Sequence, residues 1–219
     1  MIAAALLALR QTFSPPFRAI LFKTVGLALI LLVLLGVLMQ AGAAYWVDLS
    51  NDNFDLAAAV LSGIGIFVAV FFLVPPVVSL VAGFFQDQIA DLVEAQHYAD
   101  ARGKEMPTGR SIFLASRFAL LVLIVNMLAL ALLLVPGVNL IAWWLANGYL
   151  LGREYFEFAA MRFMPEAEAR ALRRRHRGRV FTGGLMIAAF MAVPILNLAT
   201  PLVASAFMIH VFKGLKRPA

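Results

Sequence analysis

Charged residues punctuate this chain, and the uncharged runs between them set the element pattern. Nothing is charged between Lys23 and Asp48. A crossing takes about 20 residues, so this run predicts a first transmembrane helix over 19–47. The next uncharged run lies between Asp55 and Asp87 and contains Pro75-Pro76. It predicts a second, extended helix over 56–98, kinked or broken at the proline pair. Beyond the prolines, Val81, Phe84, Phe85, Ile89, Leu92 and Val93 recur at helical spacing, with Asp87, Asp91 and Glu94 on the other face. This stretch reads as an amphipathic helix leaving the bilayer with a solvated acidic face. A polar loop follows over 100–110, with Gly103, Pro107 and Gly109 as turn residues.

Two further uncharged runs lie between Arg117 and Arg153 and between Arg179 and Lys213. Each carries a Val-Pro-x-x-Asn-Leu element near its middle, VPGVNL from Val135 and VPILNL from Val193. Divided at its proline, each run gives legs of roughly 13–18 residues, or about 20–27 Å of helix. The hydrocarbon core is about 30 Å thick. The lengths predict helical hairpins over 111–162 and 180–213 that enter the membrane and turn back. Pro136-Gly137 and Pro194 would make the turns. Asn139 and Asn197 would satisfy backbone groups there or line a wet cavity, because unpaired backbone cannot face lipid. Two short, tilted full spans per run are the alternative. The expected fold is therefore an all-α integral membrane protein with two long transmembrane helices and two Pro-broken, partially inserted hairpins. It forms a single membrane domain over 1–219, with an interfacial N-terminal segment, 1–18, and a basic link, 163–179.

Composition agrees. Hydrophobic residues make up 63% and charged residues 14% of 219, and mean hydropathy is +0.91. A soluble domain carries roughly a quarter charged residues and has too little interior for so much apolar side chain. The net charge of +6 sits in loops and in the link RALRRRHRGR, Arg170 to Arg179. No basic soluble domain exists to bind nucleic acid, so the charge points to topology and to anionic lipids as partners. Arg10, Arg18 and Lys23 precede the first helix, and Arg102, Lys104, Arg110, the link and Lys213 to Arg217 are basic again, whereas the segment from Asp48 to Asp55 is acidic. Both termini and the link are expected on the cytoplasmic side. No basic region precedes the apolar MIAAALLAL, so no cleaved signal peptide is expected. There are no cysteines, which excludes disulfides, thiolate metal sites and cysteine nucleophiles.

Few residues suggest chemistry. In SPPFRAI, Ser14 can cap a helix that Pro15 or Pro16 opens, and Arg18 falls in its first turn. A helix N-terminus plus an arginine can hold an oxyanion; a snorkelling arginine that sets topology accounts for the same residues. Glu94 and His97 form a single Glu-x-x-His pair, where a di-iron site takes two facing copies, so no metal and no cofactor is expected. His210 reads as a packing residue, Trp143, Trp144 and Tyr149 as interface aromatics, and Asn126 as an interhelical hydrogen-bonding amide. No Gly-rich phosphate loop, His-Glu-x-x-His or Ser-His-Asp arrangement is visible, and nothing argues for an enzyme.

In order and spacing, FFQDQIADLVE after the proline pair, the two Pro-x-x-Asn-Leu elements, GYLLGREYFEF and the basic link resemble the CysZ-type sulfate permeases, a family that includes the etoposide-induced proteins. The resemblance covers nearly the whole chain. It implies two long transmembrane helices, two pairs of partially inserted helices, a homo-oligomer, and sulfate entry for cysteine synthesis across the bacterial inner membrane. Family members carry a Gly-hydrophobe-Arg-Arg element for sulfate at the start of the first long helix. Here that place reads Pro16-Phe17-Arg18-Ala19, with one arginine kept and the glycine and second arginine replaced. The resemblance implies Phe17, Arg18 and Ala19 as the anion site and Glu94 and Arg110 as conduit residues. The expected function is a channel-like sulfate, or oxyanion, permease. The alternatives are a non-transporting scaffold for lipids or partner helices, and a permease for another anion. They differ in whether Arg18 faces a hydrated, protein-lined cavity or lipid headgroups.

Overall fold

The computed structural model describes residues 1–46, 52–132 and 138–216. Among them the chain is helical: α1 (Ile2–Thr12), α2 (Pro15–Trp46), α3 (Asp52–His97), α4 (Thr108–Leu132), α5 (Val138–Met161), α6 (Glu166–Arg175), α7 (Arg177–Met191), α8 (Pro194–Asn197) and α9 (Thr200–Lys216). Among the described residues, three stretches are long and apolar enough to cross a membrane, Pro15–Ala43, Ala59–His97 and Thr108–Val125. The third falls inside the first expected hairpin. The helices there are longer than the uncharged legs they contain: α4 has 25 residues and α5 has 24, about 36–38 Å each at 1.5 Å per residue. The helices run past Arg117 and Arg153, so charge marks where the apolar run stops but not where the helix does. The expected turn residues Pro136 and Gly137 lie outside the described residues. Asn139 falls in the first turn of α5.

The extended second helix is a single helix of 46 residues with Pro75 and Pro76 inside it. The pair removes two N–H donors without ending the helix. Both α2 and α3 display large apolar side chains outward, among them Phe22 at 72% and Phe67 at 74% exposure. A helix face that bilayer hydrocarbon can solvate needs no protein cover. Along their other faces α2 and α3 meet through Ala28, Leu32, Val77, Val78 and Val81.

The stretch expected to form the second hairpin holds two short helices, α7 with 15 and α9 with 17 residues. Between them Val193 is extended and Pro194 opens α8. The turn is satisfied by its own backbone: Asn197 N–H donates to Val193 O at 2.9 Å and Ala199 N–H to Leu196 O at 3.0 Å. Its return leg is the centre of the molecule. Every residue from Thr200 to Lys213 is buried, and α1, α3, α5 and α7 all pack against α9. Phe156, Phe207, Met208, Ile209 and Phe212 fill this core. A helix apolar on all sides belongs inside a bundle.

Small residues let α5 and α7 approach. Gly148 and Gly152, four apart on α5, face Gly184 on α7. A Cβ on Gly184 would lie 1.8 Å from Gly148 O, and one on Gly152 would lie 2.6 Å from Val180 O. Close approach of this kind is how helices gain packing where lipid supplies no hydrophobic drive.

Candidate functional site

The expected anion site opens α2. Phe17 is fully buried in the main core, which pins the start of the helix, while Arg18 and Ala19 are exposed. The N-terminus offers fewer donors than a usual one. Pro15 and Pro16 have no N–H, and Arg18 N–H donates to Ser14 O at 3.0 Å, which leaves Phe17 N–H alone in the first turn. The Ser14 hydroxyl is buried with no hydrogen-bond partner, so it does not cap the helix. What remains is the partial positive charge of the helix end and one exposed guanidinium.

Glu94 and Arg110 stand in different surroundings. Glu94 is fully buried and belongs to a charge cluster centred on Arg162, whose side chain is also fully buried. Arg162 lies 3.1 Å from Glu94 through Nε, 2.5 Å from Asp87 through Nη1 and 2.5 Å from Asp91 through Nη2. The acidic face expected to be solvated is therefore turned onto an arginine from the end of α5. Backbone completes the cluster: Gly103 N–H donates to Glu94 Oε2 at 2.8 Å, and Lys104 N–H to Arg162 O at 2.8 Å. Gly103 must be a glycine, since a Cβ there would sit 2.7 Å from the Arg162 Cβ. Burial pushes the guanidinium pKa down, but the bonds and charges of Glu94 and Asp91 outweigh it and the net shift is upward. Arg110 is exposed and pairs with Glu166 at 2.9 Å.

Sequence reasoning missed Arg162. The signal was present in Asp87, Asp91 and Glu94, which share a face with no basic residue beside them. Three carboxylates on a helix that packs elsewhere call for a cation from another element.

A second polar cluster ties α1 to the core. Gln11 Oε1 lies 2.9 Å from His210 Nε2, and its amide Nε2 lies 3.1 Å from Gln96 Oε1 and 2.9 Å from His97 Nδ1. Tyr98 OH lies 2.8 Å from His210 Nδ1. Tyr98 donating to Nδ1 and Nε2–H donating to Gln11 makes a neutral imidazole with both nitrogens used. His210 is thus more than a packing residue: it joins the first helix to the last. Glu94 and His97 take separate partners, and no group of metal-binding residues occurs among the described residues.

The segment around Asn197 borders a cavity of about 100 Å³ lined from α3, α4, α5, α7, α8 and α9. Pro75, Val78, Trp143 and Leu198 give it apolar walls. Ser79, Asn147, Tyr155, Asn197 and Thr200 bring polar side chains to it. Asn197 therefore stands at a cavity beside the hairpin turn, next to the proline pair of α3. Asn147 uses one amide hydrogen on Trp143 O at 2.9 Å.

The family described as sulfate transporter CysZ/etoposide-induced protein 2.4 matches residues 4–201. A comparison with curated proteins gave no match.

Proposed function

Because the chain belongs to the sulfate transporter CysZ/etoposide-induced protein 2.4 family, we propose that it is a channel-like permease for sulfate or a similar oxyanion in the bacterial inner membrane, supplying sulfate for cysteine synthesis. The observation that carries this reading is the family match over residues 4–201, and the three membrane-length apolar helices accord with it. Arg18, its place at the start of α2 fixed by the buried Phe17 and with Ala19 exposed beside it, attracts the anion. Fixed donors and a positive field select an oxyanion without a cofactor. The cavity at Asn197, largely apolar but reached by Ser79, Asn147, Asn197 and Thr200, supplies a short stretch of the path beside the turn. In this reading Pro136, Gly137, Asn139 and Pro194 shape the hairpin turns, Arg110 helps gather anions at the surface, and Glu94 holds Arg162 in place beside the path. Arg18 is exposed on the single chain, so this reading needs a second copy to line a route past it.

The test is uptake of labelled sulfate into liposomes that hold the purified protein, with phosphate and chloride as competitors. Saturable uptake that falls at least tenfold in Arg18→Ala supports both the permease and the site. Uptake unchanged in the variant keeps transport and removes the site. No flux above empty liposomes, with folded protein confirmed, overturns the permease.

One observation favours the scaffold reading. The α2 N-terminus has one usable first-turn N–H and one arginine, a weak cradle for a doubly charged anion. A folded protein without flux is the outcome that reading expects.

A further inference from the structure

The basic link folds into α6 and the start of α7, and with α5 it borders an open surface pocket of about 280 Å³, lined by Tyr149, Arg153, Arg173, Arg177, Gly178, Val180 and Phe181 and mostly apolar where its wall is accessible. Three arginines from three helices line it, two of them with their charged ends drawn to carboxylates. Arg153 lies 3.1 Å from Glu154, and Arg173 Nε lies 2.7 Å from Glu157 Oε1. The Arg173 contact is off-axis: its Nε–H is buried and has no hydrogen-bond acceptor among the described residues. Arg177 has no ion pair among them.

Arg177 and Gly178 also form the first turn of α7, a helix of 15 residues whose N-cap, His176, gives no side-chain hydrogen bond. First-turn N–H groups and the helix dipole favour an anion at that end. Gly178 leaves the approach open, since a Cβ there would meet nothing within 4 Å. Two carboxylates beside three guanidiniums leave a positive balance, and one arginine is uncommitted. Tyr149 and Phe181 add aromatic walls of the kind found at a membrane surface.

We propose that this cavity binds a tetrahedral oxyanion, either the phosphate of an anionic lipid headgroup or a free sulfate or phosphate ion. Arg177 and Arg173 donate to the anion, the first turn of α7 caps it, and Arg153 supports the charge from α5. The aromatic walls suit a headgroup still joined to its acyl chains. The site is separate from the start of α2. It rests on the membrane reading and not on sulfate conduction, so failed uptake would leave it standing.

The experiment titrates the full chain in a neutral detergent with short-chain phosphatidylglycerol, short-chain phosphatidylcholine and sodium sulfate. It compares the unmodified protein with Arg177→Gln, Arg173→Gln and, as an equal charge change outside the cavity, Arg175→Gln. The expected result is saturable binding of phosphatidylglycerol over phosphatidylcholine, weakened about tenfold in Arg177→Gln, the size of one lost charge-assisted contact, and unchanged in Arg175→Gln. Sulfate that competes with the lipid and weakens in the same variant supports the site with a free ion as occupant. Equal binding of the two lipids with no sulfate binding overturns it, as does equal weakening in Arg177→Gln and Arg175→Gln. Arg173→Gln also releases Glu157 and can unsettle the fold. Arg177 is exposed at the rim, and its substitution disturbs no interior contact.

Discussion

At the residue scale the strongest constraint is Arg162. A guanidinium with no exposed side-chain surface is tolerable only because Asp87, Asp91 and Glu94 surround it. Removing one partner of a buried pair leaves an uncompensated charge, which costs about 3–5 kcal/mol. Arg162→Ala is therefore expected to lower the thermal unfolding midpoint in detergent sharply, and Asp91→Asn, at the exposed edge of the cluster, to lower it far less. Equal effects would refute the assignment of Arg162–Glu94 as the central pair. Gln11 makes a second case. Gln11→Leu leaves His210, Gln96 and His97 without their shared partner, an expected loss of about 1–3 kcal/mol, read by the same unfolding measurement. Neither role was legible along the chain. Gln11 and His210 stand 199 positions apart, and no periodicity links residues at that range. Arg18 was legible as an exposed arginine at a helix start, whereas the lack of donors around it follows from two prolines in a row and could have been counted from SPPF alone.

At the element scale, charge punctuation placed most helices but mismeasured some. Arg117 and Arg153 lie inside α4 and α5, so each helix is longer than the uncharged leg it contains. Long arginine side chains can reach the interface from within a helix, which is why a charge does not stop it. The proline pair, expected to kink or break α3, does not end it. The glycines of α5 carry more information than their number suggests. Gly184→Leu would put side-chain carbon where Gly148 O lies, and overpacking of a tight contact costs about 1–3 kcal/mol or more. Loss of a monodisperse elution peak or a lower unfolding midpoint is expected. Gly26→Ala serves as the comparison, because a Cβ there meets nothing within 4 Å; it is expected to be neutral or to stabilise by about 0.5–1 kcal/mol.

For the whole molecule, membrane class was plain from the apolar runs, but the centre of the bundle was not. Hydropathy ranks α2 and α3 as the most apolar long helices, yet they carry the outer surface, and the shorter α9 is the core. In water the most apolar element goes inside; in a bilayer the surface is apolar too, and burial is decided by which helices pack. Topology is open to direct test because the chain has no cysteine. Single cysteines at Asn51 and Gly214 are expected to react with an impermeant maleimide from opposite sides, Asn51 from outside and Gly214 only after the cytoplasmic face is opened. The reverse pattern would refute the proposed orientation. The central place of α9 also has a consequence in time. Translation proceeds at about 5–20 residues per second, and α9 leaves the ribosome after every helix that encloses it. Until then α1, α3, α5 and α7 must wait in the membrane around a vacancy, their inward faces held by lipid, by one another or by an assembly factor. Assembly is thus a closing step in which one late helix displaces temporary occupants, and a slowed or stalled ribosome near its end leaves a shell with no centre.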